Sequence, residues 1–296
     1  MRTLVHLILT LFVSASTFAA ELTTEQLARL DIREVPGKPL LYVIPGFGGA
    51  VSGGNVAVLV TSEGVVIVDN KFDYSFDDIV GKIQTITDQS IHTVINTHHH
   101  FDHAGANQSF IPIARVISHA NARANMLANR RASADPAGAP PFTYSDAASF
   151  FIGEDEIEVH YFGRGHTDGD SVVYFPALKT VHTGDLIIWG ERLDGSKLAP
   201  FMDYDNGGSA ADWANTLDQV LALDFETVIP GHGPILGRSE VEAFRHRLEV
   251  LVSRIAQALA QGVTRENIAS AVELDDLDWP LTSDRLQAIY DELAAL

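Results

Sequence analysis

The sequence predicts an α/β fold in which helices flank packed β-sheets. Short runs rich in β-branched residues, separated by Gly-rich turns, indicate strands. Helical patterns follow each strand-rich half of the chain, without a regular βαβ alternation. The 296 residues, of which 46% are apolar and 20% charged, suffice for one large domain or two small ones. We find no linker that would separate two domains.

The first half of the chain predicts a sheet that begins with antiparallel strands. Strands are predicted over residues 40–46, 55–62, 64–69, 92–97 and 113–118. A helix is predicted over 75–88, with Ser75 as its N-cap and Asp78 three residues later, and another over 119–131. Residues 132–149 are rich in Pro, Gly and Ala, and we expect them to form a loop.

A Gly-rich segment, GFGGAVSGG at residues 46–54, separates the first two strands. A phosphate-binding loop would need a G-K-[ST] motif and a following helix, and the sequence offers neither here. We therefore expect a mobile hairpin tip, with Phe47 as its one large apolar side chain.

The second half predicts a second set of strands and the longest helices. Strands are predicted over 156–162, 171–176, 179–184 and 225–231, and helices over 210–223, 239–262, 264–272 and 283–294. The long helix begins with a capping box, Ser239 with Glu242, and closes with Gly262. Its apolar residues recur at helical spacing, at Val241, Phe244, Leu248, Leu251, Ile255 and Leu259.

Residues 1–19 have the pattern of a secretory signal peptide. They hold one arginine, an apolar stretch over residues 4–13 and small residues at the end, with Thr17 and Ala19 suited to cleavage after Ala19. The apolar stretch is shorter than the roughly 20 residues that span a bilayer. We expect an exported, periplasmic protein without a membrane span. Its single mature domain would cover residues 20–296 and end in helices over 239–296.

The charge and the lack of cysteine exclude several function classes. The formal net charge is −19, which repels phosphate, so we expect a small-molecule substrate and no nucleic-acid partner. The chain has no cysteine, and therefore neither disulfides nor thiolate ligands. Any metal site must use His, Asp, Glu or water.

The segment THHHFDHAG, residues 97–105, places four histidines and one aspartate within six positions. Alternate side chains of an extended segment point the same way, so His98 and His100 can bind one ion together. Asp102 and His103 follow as the backbone turns, and they can serve a second ion. Two complete sites need further ligands from elsewhere in the chain.

Three later segments supply such ligands at predicted strand ends. His166 lies in GRGHTDGD, Asp185 follows the strand in KTVHTGD, and His232 lies in VIPGHGP. Each has a glycine neighbour, which lets the backbone bend sharply or approach closely. A lone histidine after a strand is more often structural, and an aspartate in a T-G-D turn is more often a turn former. Four such segments in order favour a metal site at a sheet edge.

These residues resemble the five-part signature of the metallo-β-lactamase superfamily. The resemblance covers roughly residues 40 to 235, with Asp69 in GVVIVD as the first part of the signature. It implies an αββα sandwich, two packed mixed β-sheets flanked by helices, with the metals at one edge. The implied ligands are His98, His100 and His166 for the first metal and Asp102, His103 and His232 for the second, with Asp185 and a hydroxide bridging them.

The resemblance also implies supporting roles and a cofactor. Asp69 would orient the ligands, and Asp102 would also orient the hydroxide. The N/O ligand set fits two zinc ions per chain, although iron or manganese can occupy similar sites. His99 is expected to point away from the ions. The remaining histidines have no partner motif and are expected to be structural: His6, His92, His119, His160, His182 and His246.

An exported member of this superfamily meets antibiotics, so hydrolysis of the β-lactam amide is the leading expectation. The aspartate at position 185 argues against this activity, because the best-known β-lactamases of the family carry Cys or fill this position differently. Aspartate there is the arrangement of glyoxalase II-like thioesterases. Thioester, lactone or phosphoester hydrolysis therefore stays open, as does a non-catalytic metal-binding role.

Three residues are candidates for contact with the substrate. Arg192 and Lys197, in the loop after Asp185, could hold a substrate carboxylate, and Phe47 could close over an apolar group. A solvated loop charge and a simple hairpin contact explain these residues equally well.

Overall fold

The computed structural model of the protein describes residues 23–296 and has two packed β-sheets with helices on their outer faces. Buried residues of both sheets, among them Val66, Ile95, Val173 and Ile229, form the core between the sheets. The predicted αββα sandwich is confirmed.

The first sheet has seven strands in chain order, antiparallel at first and parallel afterwards. The strands are β1 (Arg33–Glu34), β2 (Leu41–Ile44), β3 (Val56–Thr61), β4 (Gly64–Val68), β5 (Ile91–Ile95), β6 (Arg115–His119) and β7 (Phe142–Tyr144). Pairing is antiparallel from β1 to β4 and parallel from β4 to β7. Every residue of β4 is buried, because helices cover one face of the strand and the second sheet covers the other.

The second sheet has six strands in the reverse of chain order. They are β8 (Ala147–Ile152), β9 (Asp155–His160), β10 (Val172–Phe175), β11 (Thr180–Ile188), β12 (Thr227–His232) and β13 (Leu236–Gly237). The pair β11–β12 is parallel and the other pairs are antiparallel. Asp185 was expected just after a strand, but β11 continues to Ile188, so Asp185 lies within it, beside an irregularity in register at Gly184.

The helices cover the outer faces of both sheets and fill the connections. They are α1 (Thr24–Ala28), α2 (Gly49–Ser52), α3 (Phe76–Gln84), α4 (Phe101–Ala104), α5 (Asn107–Phe110), α6 (Ala120–Ala128), α7 (Ala210–Leu221), α8 (Arg238–Ala260), α9 (Ile268–Ala271) and α10 (Ser283–Ala294). Ile79 and Phe110 pack on the first sheet. Trp213, Phe244 and Leu286 belong to the layer on the second sheet.

The apolar stripe predicted for the long helix faces the core, and Ser75 occupies the N-cap position of α3 as predicted, but Ser239 does not cap the long helix. The backbone N–H of Gly237 donates to Glu240 Oε2 at 2.9 Å, whereas Glu242 pairs with Arg238 instead of capping. The Ser75 hydroxyl accepts from the Phe72 N–H and makes no cap bond to α3. The long helix starts at Arg238 with Gly237 as its N-cap, two residues before the predicted cap, whereas α3 starts at Phe76, directly after Ser75.

Residues 132–149 do not form a loop without packing, so that prediction is wrong. They contain β7, which pairs in parallel with β6, and the start of β8. The Tyr144 hydroxyl donates to Ser171 Oγ at 2.5 Å and ties β7 to the second sheet. A three-residue strand has too little local pattern to be recognised, because its order comes from partners distant in sequence. The segment 46–54 likewise contains α2 and is more than a hairpin tip.

No helix among residues 23–296 is long and apolar enough to cross a membrane. The predicted signal peptide lies outside the described residues.

Replacing Phe244 by alanine tests the packing of the C-terminal helices. Its ring is fully buried and contacts Trp213 and Trp279 at centroid distances of 6.0 and 5.1 Å. We expect a loss of about 3–5 kcal/mol in the free energy of unfolding, measured by urea denaturation. The exposed residue Gln257 of the same helix is the control, and Gln257→Ala should change stability by less than about 0.5 kcal/mol. Equal losses in the two variants would contradict the packing described.

Candidate metal centre

Seven histidine and aspartate side chains meet at one edge of the sandwich. The segment after β5 carries His98 and His100, and α4 carries Asp102 and His103. The second sheet contributes His166 before β10, Asp185 within β11 and His232 at the end of β12. The ligand atoms of three sets lie within 4.8 Å of one another: His98, His100 and His166; Asp102, His103 and His232; and His98, His103 and Asp185.

The first triad, His98, His100 and His166, consists of imidazoles only. His166 Nε2 lies 2.9 Å from His100 Nδ1. His98 Nε2 is buried and has no hydrogen-bond partner among the described residues. A buried polar atom without a partner is costly, and a bound cation would satisfy it. The residues of this triad therefore fit a metal ion.

The second triad, Asp102, His103 and His232, adds a carboxylate. His103 Nε2 lies 3.1 Å from His232 Nε2, and Asp102 Oδ2 lies 3.3 Å from His232 Nε2. The Asp102 side chain is 20% exposed, so one side of this triad is open to solvent.

Asp185 touches both triads with opposite oxygens. Its Oδ1 lies 3.1 Å from His103 Nε2 and 3.4 Å from His232 Nε2. Its Oδ2 lies 3.6 Å from His166 Nε2. The carboxylate of Asp185 therefore lies between the two triads.

The ionised carboxylates of the cluster favour positive charge next to them. Burial would raise the pKa of Asp185, but His232 and His103 hold it well below its usual range. Burial would lower the pKa of His103, yet Asp185, Asp102 and Asp69 raise it well above its usual range. Burial and the neighbouring His100 lower the pKa of His166 to about 4. The carboxylates therefore stabilise cations in the second triad, whereas burial lowers the pKa of His98 and His166 in the first triad and keeps these two imidazoles neutral, as metal binding requires.

Asp69 orients His103 from beneath the centre. Its Oδ2 lies 2.7 Å from His103 Nδ1, and both of its oxygens accept hydrogen bonds of 2.8 Å from the Thr97 backbone N–H and hydroxyl. Such a bond fixes the tautomer, so that Nε2 faces the centre. This is the position that the sequence suggested for an orienting residue.

Asp203 plays the same part for His100, and sequence reasoning missed it. Its Oδ2 lies 2.7 Å from His100 Nε2 and accepts a bond of 2.7 Å from Asn206 Nδ2. No motif marks Asp203, which follows an irregular stretch and has Asp205 two residues away. Backbone carbonyls hold two further rings: Phe201 O accepts from His166 Nδ1 at 2.6 Å, and Gly53 O from His232 Nδ1 at 3.1 Å.

The loop 45–54 packs directly on the second triad. A Cβ added to Gly54 would lie 2.3 Å from the His103 ring, so only glycine fits there. Lys71, which sequence reasoning also missed, is buried, and its Nζ donates to the carbonyls of Pro45 (2.9 Å), Ser52 (2.6 Å) and Gly54 (2.6 Å). The lysine therefore fastens this loop against the centre.

The other histidines stand apart from the two triads. His99 is buried, and its Nε2 lies 3.8 Å from Asp203 Oδ2, in a group with His100 on the far side of that ring. The remaining described histidines, His92, His119, His160, His182 and His246, join no metal-sized group among residues 23–296. His6 lies outside the described residues.

The three candidate substrate contacts occupy different places. Phe47 is only 4% exposed and lies under Arg29, whose Cζ is 4.3 Å from the ring centre, so it does not stand free to close over a substrate. Lys197 pairs with Asp278. Arg192 lies near the second triad, on the other side of Gly48. A Cβ added to Gly48 would lie 3.7 Å from Arg192 Nε and 3.7 Å from His232 Nδ1.

The sequence profile of the metallo-β-lactamase superfamily matches residues 49–232, which span the whole ligand set. The chain belongs to the metallo-β-lactamase superfamily. A type 2 metallo-β-lactamase of Elizabethkingia meningoseptica is 30% identical over 208 residues, covering 69% of this chain and 78% of that protein. The α subunit of 2,4-dinitroanisole O-demethylase from Nocardioides sp. (strain JS1661) is 27% identical over 208 residues, covering 70% of this chain but only 60% of that subunit.

Solved structures show the same superfamily fold. A metallo-β-lactamase from Pontibacter korlensis superposes with a TM-score of 0.61 at 20% identity, covering 74% of this chain and 99% of that one. The part of this chain beyond residue 232, with α8 to α10, lies outside the profile match.

Replacing Asp203 by asparagine tests the support of His100. The amide cannot hold the imidazole as the carboxylate does, so we expect metal affinity to fall about 10–100-fold, measured by competition with a chromogenic chelator. Asp205→Asn is the matched control, because Asp205 is an exposed aspartate two residues away. Unchanged affinity in Asp203→Asn would contradict the assigned role.

Proposed function

We propose that this protein is a dinuclear zinc hydrolase that cleaves the β-lactam amide. The observation that carries the proposal is the position of Asp185, with one oxygen against each triad. The two triads have the N/O donors that zinc prefers. Two bound zinc ions supply polarisation of the scissile carbonyl and a fall in the pKa of a bound water from about 16 to about 7.

The chain's own residues position the nucleophile. Asp102, whose Oδ2 lies 3.3 Å from His232 Nε2 and whose side chain is 20% exposed, would orient the attacking water by accepting a hydrogen bond from it. Asp185 sets the spacing between the triads. Asp69 and Asp203 hold His103 and His100 in single tautomers, so the centre is organised before substrate arrives.

The choice of a β-lactam rests on the relatives and on the predicted export. The relative that is 30% identical is a metallo-β-lactamase, and an exported enzyme of this superfamily meets antibiotics. The aspartate at position 185 supports a second candidate, a hydrolase of thioesters, lactones or phosphoesters, because an oxygen ligand stands where the best-known β-lactamases carry sulfur. A purely metal-binding role fits less well, since Asp102 is open to solvent.

Metal analysis and a substrate panel test the proposal. We expect two zinc ions per chain by mass spectrometry, hydrolysis of a chromogenic cephalosporin, loss of that activity with EDTA and recovery with zinc. Zinc-loaded protein that cleaves thioesters but no cephalosporin would establish the second candidate instead. A single iron per chain would overturn the dinuclear zinc site.

The Asp185→Asn variant tests the bridging position. The amide carries no charge and binds zinc weakly, so we expect metal content below two per chain. Loss of a residue that supports a metal ligand lowers activity roughly 10–100-fold, and we expect kcat to fall by at least as much here. Asp194→Asn is the control, because Asp194 is an exposed carboxylate of the loop that follows β11. Full metal content and an unchanged rate in Asp185→Asn would refute the bridging role.

A further inference from the structure

The loop 201–209, which leads into α7, supports two imidazoles of the first triad. Phe201 O accepts from His166 Nδ1 at 2.6 Å, and Asp203 Oδ2 lies 2.7 Å from His100 Nε2. The Asp203 backbone N–H also donates to His166 O at 2.8 Å. A displacement of this loop would therefore move the support of both imidazoles together.

Glu292 of α10 contacts the same loop and the start of α7. Its Oε2 accepts from the Tyr204 hydroxyl at 2.9 Å and from the Ala210 N–H at 2.9 Å. Its Oε1 accepts from the Ser209 hydroxyl at 2.5 Å and from the Ala211 N–H at 3.4 Å. One carboxylate therefore ties the middle and the end of the loop to a single point.

The donors that face Glu292 suit a carboxylate. Ala210 and Ala211 are the first two residues of α7, so their N–H groups lie at the positive end of the helix and have no acceptor within it. Burial, followed by the charge of Glu292, raises the pKa of Tyr204, so its hydroxyl stays protonated and remains a donor. Hydrogen bonds to an ionised acceptor are stronger than neutral ones. Because Tyr204 follows Asp203 directly, its bond to Glu292 restrains the backbone that carries Asp203.

The helix α10 holds Glu292 in a fixed place. Leu286 and Ile289 are buried beneath the helix, and Ile289 is three residues before Glu292. The Tyr290 hydroxyl donates to Val263 O at 3.0 Å and fastens the same turns of the helix. Glu292 is therefore presented to the loop from a rigid support.

We infer that Glu292 is a positioning residue of the metal centre, acting through Tyr204 on the loop that holds His100 and His166. This inference rests on the metal centre of the proposed function but not on its substrate. It gives the C-terminal segment, which lies outside the superfamily match, a part in holding the first metal ion. A residue that only packed α10 on α7 would affect the free energy of unfolding and leave metal affinity unchanged.

The two stepwise zinc affinities of the folded full chain, measured by competition with a chromogenic chelator, test this role. We expect Glu292→Ala to weaken one of them about 10-fold, the low end for the loss of an outer partner, and to leave the other unchanged. The weakened affinity should be the one that Asp203→Asn weakens, because both residues act on His100. Glu292→Gln keeps an acceptor oxygen and should fall between Glu292→Ala and the wild type.

Tyr290→Phe is the matched control, because it removes a hydrogen bond of α10 that does not involve the loop 201–209. It should lower the free energy of unfolding without changing either zinc affinity. A loss of zinc affinity equal to that of Glu292→Ala would reduce the effect to general destabilisation and overturn the role of Glu292.

Tyr204→Phe removes the contact from the side of the loop. If Glu292 acts through Tyr204, Tyr204→Phe combined with Glu292→Ala should weaken zinc binding by less than the product of the two separate effects. Fully independent effects would contradict the route through Tyr204.

Hydrogen exchange of the metal-free protein reports on the loop itself. We expect the amides of residues 203–209 to exchange faster in Glu292→Ala than in the wild type, and at the wild-type rate in Tyr290→Phe. An unchanged rate in Glu292→Ala would show that the carboxylate does not hold the loop.

The zinc affinities also separate this inference from the proposed function. Equal affinities in the wild type and in folded Glu292→Ala would overturn the role of Glu292 and leave the dinuclear hydrolase standing. A protein that binds two zinc ions but hydrolyses nothing in the substrate panel, and that loses affinity in Glu292→Ala, would do the reverse. A wild type that binds no zinc would overturn both. Should Glu292→Ala fail to fold, Glu292→Gln and Tyr204→Phe decide by the same comparison.

Discussion

The contact of Asp185 with both triads depends on a fixed register between the two sheets. Asp185 lies on β11 of the second sheet, whereas His98, His100 and His103 follow β5 of the first. Backbone bonds hold the sheets together at this edge, from Ser171 N to Thr97 O at 2.7 Å and from Asn55 N to Gly231 O at 2.8 Å. The core between the sheets keeps the rest of the sandwich aligned. A shift of a single ångström would remove one carboxylate oxygen from its triad, so packing far from the centre bears on its chemistry.

Two kinds of group hydrogen-bond the outer ring nitrogens of the candidate histidine ligands. Carboxylates face His103 and His100, and backbone carbonyls face His166 and His232. The carboxylates add negative charge next to the imidazoles and make them more basic as metal ligands. The carbonyls orient their imidazoles without adding a full charge. The result is a centre whose geometry is set by the fold, with Lys71 fastening the loop that closes one side.

Local pattern explains what could be predicted and what could not. Runs such as GVVIVD and the stripe from Val241 to Leu259 carry their structure in sequence order, and the strands and long helices were predicted close to their observed bounds. The seven residues in the HxHxDH motif and at the later strand ends meet in space, although their binding of metal stays a prediction. Asp203 and Lys71 were missed because each acts through partners distant in the chain. The strand β7 was missed for the same reason, whereas the cap of the long helix was misplaced because that helix starts at Arg238.

Residues 233–296 follow all of the candidate metal ligands in the sequence but pack near them in space. All seven candidate ligands precede residue 233, whereas α10 lies far beyond it and packs Arg285 on Phe201, whose ring centre lies 5.7 Å from that of His166. Changes in this tail can therefore accumulate without touching a ligand.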